Sequence, residues 1–187
     1  METYMKNNED RRIRKTKSAI EKALLDLLEK KDFSHITIND IANEANVNRG
    51  TIYFHYEDKY DLLNGIMVEK LAELEGVCRS IRMDDTSEIL KEKFRKVYLY
   101  FDENYRFFRL MLQNGTTDAF QNKFHTLIIH EMQRSGASDE SGLDHEFAIQ
   151  FKVSALTGVV HWWLKEDHSL SADEMAENTV KVFLKNL

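Results

Sequence analysis

The chain has 187 residues, 42% of them apolar and 31% charged, with one cysteine and no proline. This composition fits a globular protein of one large domain or two small ones. It contains no run of about 18 apolar residues, which excludes a membrane-spanning helix. The formal net charge of −6 argues at first sight against a nucleic-acid partner, but residues 1–60 hold 11 Lys and Arg against 11 Asp and Glu. The excess of acid falls in residues 61–187, which hold 15 against 21. A local basic patch, not net charge, sets the phosphate contact.

Met1 to Asp10 is polar, without the apolar core of a signal peptide, and reads as a flexible arm. The lone Cys78 excludes an internal disulfide framework and fits a reducing, cytoplasmic setting. The absence of proline favours long helices. The first predicted helix runs from about Arg12 to Lys30, with Ile13, Ile20, Ala23, Leu24, Leu27 and Leu28 as its apolar stripe. Residues 11–17 carry five positive charges and no acid in its first turns. The helix dipole disfavours cations there. Arg14, Lys15 and Lys17 are therefore candidates for phosphate contact; the alternative is a solvated charged face.

After a link anchored by Phe33 and Ile36, the stretch from Thr37 to Tyr56 organises the chain. Ile38, Ile41, Ala42 and Ala45 recur at helical spacing, and Thr37 with Asp40 forms an imperfect capping box. Asn46-Val47-Asn48 breaks the pattern, with Val47 as an apolar plug and Asn48 as the next cap. The second helix is predicted from Arg49 to about His55, with Ile52 and either Phe54 or Tyr56 inward. Its outward residues are polar, as a DNA-reading helix requires. Arg49 and Thr51 sit where such a helix meets base edges, and Gly50 permits close backbone approach. Tyr53, His55 and Lys59 suit phosphate oxygens. Thr37 and Asn48 complete the DNA-binding set, against the alternative of a generic bundle surface.

These residues resemble the DNA-binding signature of the TetR family of bacterial transcriptional regulators. Thr37-Ile38, Ile41-Ala42, Ala45, Val47, Gly50-Thr51, Ile52-Tyr53, His55-Tyr56, Lys59 and Leu62-Leu63 fall on its positions. Asn48 stands where serine or threonine is commoner, and Tyr56 where phenylalanine is usual. The likeness covers roughly residues 12–65. It implies an N-terminal three-helix bundle that binds palindromic operator DNA, Tyr53 and Lys59 as phosphate contacts, a small-molecule site in the body, and pairing through the last two helices.

A fourth helix is predicted from about Asp58 to Ile81, with Leu62, Leu63, Ile66, Met67, Leu71, Leu74 and Cys78 as its stripe. It is shared between a DNA-binding domain, residues 1–57, and a regulatory and dimerising domain, residues 58–187. A fifth helix, residues 88–103, turns Ile89, Leu90, Phe94, Val97, Tyr98 and Phe101 inward. A short sixth follows through Leu112, stopped by Asn114-Gly115. The seventh spans 117–134, and residues 135–142 form the least structured segment. The eighth, from about Leu143 to Lys165, has two apolar stripes: Ile149, Val153, Leu156, Val160 and Trp163 on one side, Phe147, Phe151, Ala155, Val159 and Trp162 on the other. Ser171 and Glu174 box the ninth, whose stripe is Met175, Ala176, Val180, Phe183, Leu184 and Leu187. The fold class is all-α, with about nine helices.

No glycine-rich phosphate loop, paired cysteines or nucleophile elbow points to an enzyme. The histidines lack metal-ligand spacing, and no metal or cofactor is expected. Cys78 reads as a small core residue. Phe94, Tyr98, Phe101, Tyr105, Phe108 and Phe124, with His125 and His161, are candidates for a hydrophobic effector site; an ordinary helical core is the competing reading. The homodimer interface is expected at Ile149, Val153, Leu156, Val160, Trp163, Val180, Phe183 and Leu187. The function expected is a transcriptional regulator, a repressor released by a small hydrophobic effector; the alternative is a regulator or co-activator controlled by a protein partner.

Overall fold

The structure is a computed structural model that describes residues 2–113, 118–136, 144–165 and 170–184. Among these are nine α-helices, one 3-10 turn and no strand. The helices are α1 (Glu2–Leu28), α2 (Ile38–Glu44), α3 (Arg49–Tyr53), α4 (Lys59–Cys78), α5 (Ser87–Glu103), α6 (Tyr105–Gln113), α7 (Asp118–Arg134), α8 (His145–Lys165) and α9 (Ala172–Leu184). The chain divides into two compact units, Met1–Val68 and Glu69–Leu187, with the division inside α4. We call them the head and the body.

The head is built on α1, which starts at Glu2, so the helix takes in the segment expected as a flexible arm. No proline or glycine interrupts those residues. Ile20, Ala23, Leu24, Leu27 and Leu28 are buried with Phe33, Ile36, Ile41, Ala42, Ile52, Leu62 and Leu63. Full burial of one such aliphatic side chain contributes about 1.5–3 kcal/mol. Ile13, expected on the stripe, is exposed. It lies about two turns before the first buried residue, Ile20, beyond the reach of the small core.

In the body, α5 lies along α9 and α7 along α8. Tyr98 is buried; its hydroxyl shares a 2.7 Å hydrogen bond with that of Thr179, and its ring meets Trp163 edge-on at 5.4 Å. Lys91–Glu177 at 2.7 Å and Arg95–Asp173 at 2.8 Å join the same two helices at the surface. Phe101, Phe107, Phe108, Phe120 and Phe124 form a connected cluster, with centroids 4.8 Å apart for Phe101 and Phe108. Thr86 caps α5 through the Ile89 N–H, and Ile89 itself is exposed, contrary to its expected inward position. Leu90, also expected inward, is buried.

The two stripes of α8 separate cleanly. Ile149, Val153, Val160 and Trp163 are buried within the body, and Leu156 is partly buried against the same core as Met132, Ile149 and Val153. Val180 is buried too, and Phe183 packs partly on that core. The side chains expected at the dimer interface therefore fill the body's own interior; Leu187 lies outside the described residues. The other stripe is the outward one, with Phe147, Phe151, Val159 and Trp162 all exposed. A helix of 3.6 residues per turn can give only one of these faces to α7. The stop expected at Asn114-Gly115, and residues 137–142 of the segment 135–142 expected to be least structured, also lie outside the described residues.

Candidate nucleic-acid interface

Two linked caps set the entry to α2. The Thr37 hydroxyl accepts from the Asp40 N–H at 3.1 Å. The Asp40 carboxylate accepts from the Thr37 N–H and hydroxyl, each at 2.9 Å, so the capping box is complete. The Lys31 ammonium donates to the same carboxylate at 2.9 Å. That hydrogen bond, then the two from Thr37, holds the Asp40 carboxyl down to about 2. Thr37 is thus committed to the head's own structure, and its hydroxyl proton is spent on Asp40.

The turn between α2 and α3 follows from Asn46, whose φ of 52° is left-handed and suits asparagine. The Val47 N–H reaches the Ala42 carbonyl at 2.9 Å and the Asn46 N–H the Asn43 carbonyl at 3.2 Å, the paired bonds of a Schellman stop. Asn48 then opens α3, its side-chain oxygen accepting from the Gly50 N–H at 3.0 Å. The helix ends at Tyr53, shorter than expected. Ile52 is fully buried and anchors it. Of the two rings, one of them expected inward, Tyr56 is partly buried beneath the Lys17 ammonium, 6.0 Å from its centroid, whereas Phe54 is 80% exposed. Arg49, Gly50 and Tyr53 are exposed, with the Arg49 guanidinium 5.9 Å from the Tyr53 ring; Thr51 and His55 are half-buried. Arg14, Lys15 and Lys17 are exposed on α1.

Lys59 is placed differently from a free phosphate ligand. Its ammonium donates to the carbonyls of Phe33 at 2.9 Å, Ser34 at 3.0 Å and Ile36 at 2.8 Å. An ammonium has three protons, so all three are used. The charge also lies 4.9 Å from the Phe33 ring and 5.3 Å from that of Tyr60. Lys59 ties the start of α4 to the 3-10 turn at Phe33–His35, from which α2 departs.

The body holds an apolar cavity walled by Phe94, Val97, Tyr98, Phe101, Phe124, Ile128, Met132, Leu156 and Val160, with Cys78, Glu131, Ser135 and Thr157 among its other residues. Its free volume is about 70 Å³. Four of the expected effector residues, Phe94, Tyr98, Phe101 and Phe124, line it. Tyr105, Phe108, His125 and His161 do not. Phe108 belongs to the packed phenylalanine cluster, so the competing readings of the aromatics each hold for part of them. Glu131 is 7% exposed and grips Arg134, whose guanidinium donates to both carboxylate oxygens and to the Cys78 carbonyl. Burial pushes the Cys78 thiol up to about 12, so it stays protonated at neutral pH.

The sequence profile of the N-terminal region of the bacterial regulatory proteins of the tetR family matches residues 20–66. That of a transcriptional regulator C-terminal region, again of the tetR type, matches residues 88–185, more than half of the chain. The chain belongs to the tetR family. It is 44% identical over 66 residues to the uncharacterised HTH-type regulator YxbF of Bacillus subtilis (strain 168), a match covering 35% of this chain and only 17% of that protein. Over 162 residues it is 22% identical to the dhaKLM operon transcriptional activator DhaS of Lactococcus lactis, covering 83% of this chain and 82% of that one. The solved structure of a TetR regulator from Streptococcus agalactiae superposes with a TM-score of 0.68 at 26% identity, over 94% of this chain and 97% of the other. FadR of Bacillus subtilis, solved with stearoyl-CoA, shares the fold at 19% identity and a TM-score of 0.65, over 91% and 98%.

Some residues of this TetR-family regulator carried no sequence signal for their place. Cys78, Met83, Glu131 and Ser135 meet around the cavity from three separate segments. Glu75, His130 and Glu131 bring one potential ligand atom each within 4.8 Å of one another, but Glu131 is already held by Arg134. Two of those three are sequence neighbours and the third is on another helix, so spacing could not reveal the group.

Proposed function

We propose that this DNA-binding regulator is a repressor that holds a palindromic operator as a homodimer and releases it when a small hydrophobic effector enters the body. The observation that carries this reading is the apolar cavity, with Phe94, Tyr98, Phe101 and Phe124 in its wall. Sites for drug-sized ligands run from about 300 Å³ upward, against about 70 Å³ here. Such a ligand can therefore bind only by favouring an expanded body. Its differential affinity for that state is what shifts the population. α4 supplies Leu62, Leu63 and Ile66 to the head and Leu71, Leu74 and Cys78 to the body, which supports it as the transmitting element.

Arg49 and Thr51 read base edges, while Tyr53, His55, Arg14, Lys15 and Lys17 hold phosphates; Gly50 gives the backbone room, and Thr37 and Asn48 act as caps. Self-association uses the outward stripe of α8, Phe147, Phe151, Val159 and Trp162, with the exposed Val182 of α9. Such a contact is isologous, and its two heads demand a palindrome. A second reading, an activator, is favoured by the likeness to DhaS, which is named as one. A duplex selected by the full-length protein from a random-sequence pool provides the probe for both. Acyl-CoA esters and lipophilic amines are titrated against the complex, and a reporter carrying the same duplex gives the sign of regulation. Release by a compound that protects cavity amides from exchange supports the proposal. Failure of every compound, together with rising reporter output, moves the reading to an activator controlled by a protein.

A further inference from the structure

The most exposed large apolar side chain among the described residues stands on the recognition helix. Phe54 is 80% exposed at the C-cap of α3. Its place on the helix is set by its backbone, whose N–H bonds the Gly50 carbonyl at 2.9 Å with φ −69° and ψ −26°. Gly50 and Phe54 lie two residues to either side of Ile52, the buried anchor. At 3.6 residues per turn each is about 200° around the helix from it. They therefore mark the centre of the outward face, one turn apart. The surface at Gly50 is open, since an added Cβ would meet only the Asn48 side-chain oxygen, at 3.7 Å. Arg49 and Tyr53 flank this line on one side, Thr51 and His55 on the other. Phe54 touches the His55 ring edge-on at 5.0 Å, which leaves its own outer face to solvent.

A phenyl ring offers phosphate neither a donor nor an acceptor. On the floor of the major groove the one apolar group is the C5-methyl of thymine. We infer that Phe54 is a specificity-determining residue that reads a thymine methyl in each operator half-site. This rests on the reading of the outward face of α3 as the DNA-reading surface, and it adds a base to that reading.

Deoxyuridine in place of thymidine deletes the methyl and nothing else. The full-length protein selects a duplex from a random-sequence pool, and each thymine is then replaced singly by uracil. Removing one buried methyl corresponds to about a fourfold loss of affinity. The wild type should show that loss at one thymine per half-site and little at the rest. Phe54→Ala should bind the thymine and uracil duplexes equally, and its own selection should lose the preference at that position. The exposed position leaves the fold of the variant intact, which a melting curve checks. The inference is overturned if no uracil substitution weakens the wild type, if the selected half-site requires no thymine, or if Phe54→Ala keeps the full discrimination. A protein that selects no duplex at all would refute the DNA-reading surface itself, a different outcome from selection without methyl sensitivity.

Discussion

Replacing Lys59 by alanine separates a structural lock from a phosphate contact. In the structure the ammonium serves three carbonyls, of which those of Phe33 and Ile36 are in part-buried bonds and that of Ser34 in an exposed one. Water can replace the exposed bond at little net cost. The two others would lose a charged donor, at about 1–3 kcal/mol each. The two cation–ring contacts add about 0.5–1 kcal/mol apiece at such partly exposed positions. The head should lose about 3–8 kcal/mol. Hydrogen exchange of the full-length protein reads this directly, because a loss of even 2 kcal/mol raises the open population about 30-fold. The affected amides should be those of residues 33–44. Operator affinity should fall, yet the slope of log affinity against log salt should stay as in the wild type. A phosphate ligand would instead lower that slope by about 0.9 per contact. Lys59→Arg sharpens the contrast. A planar guanidinium cannot present three protons to three converging carbonyls, though it serves phosphate well. Unchanged exchange together with a reduced slope in Lys59→Ala, and full activity in Lys59→Arg, would refute the lock.

The outward stripe of α8 gives a paired test. Trp162→Glu should dissociate the homodimer and leave the body folded, whereas Val160→Glu, at a buried position, should unfold the body first; sedimentation and circular dichroism separate the two. Asp40 gives a pH signature. Its carboxyl is held below its ordinary value by Lys31 and Thr37. The stabilisation is therefore complete above about pH 4 and is lost as the pH falls toward about 2. Asp40→Asn should flatten that loss when it is followed at the head's own amides. Cys78, with its thiol pushed up to about 12, should react with a disulfide reagent at neutral pH only as the body opens. Its rate should therefore rise with urea, and a fast rate in the native protein would contradict its burial.

Local chemistry made the head legible. Thr37 with Asp40, and Asn48, specify the caps through side-chain bonds within three residues, and Asn46 specifies the turn through its left-handed backbone, all of which a sequence displays. The two stripes of α8 were equally visible, but the choice between them was not. Both are apolar, and which one faces α7 depends on packing with residues some 20 positions away, such as Ile128 and Met132. The same holds for Lys59. Its spacing matches a phosphate ligand, and only the fold brings it to carbonyls 23 to 26 residues earlier. The cavity was half legible for a related reason. Aromatic enrichment along α5 and α7 located the region, while the split between packed ring and cavity wall was decided by helix rotation.

Regulation by an effector depends on the cavity, and blocking it tests that most directly. Thr157 lines the cavity from α8, and its hydroxyl bonds only to carbonyls of its own helix. Thr157→Phe puts a ring into the free space and removes only the hydroxyl's bonds to the Val153 and Ser154 carbonyls of its own helix. Fluorescence anisotropy of the selected duplex, followed while acyl-CoA esters and lipophilic amines are titrated, compares this variant with the wild type. At least one compound should weaken wild-type binding tenfold or more, and Thr157→Phe should bind the duplex as the wild type does but no longer respond. Equal release in both proteins, or no response in either, would contradict control through the cavity.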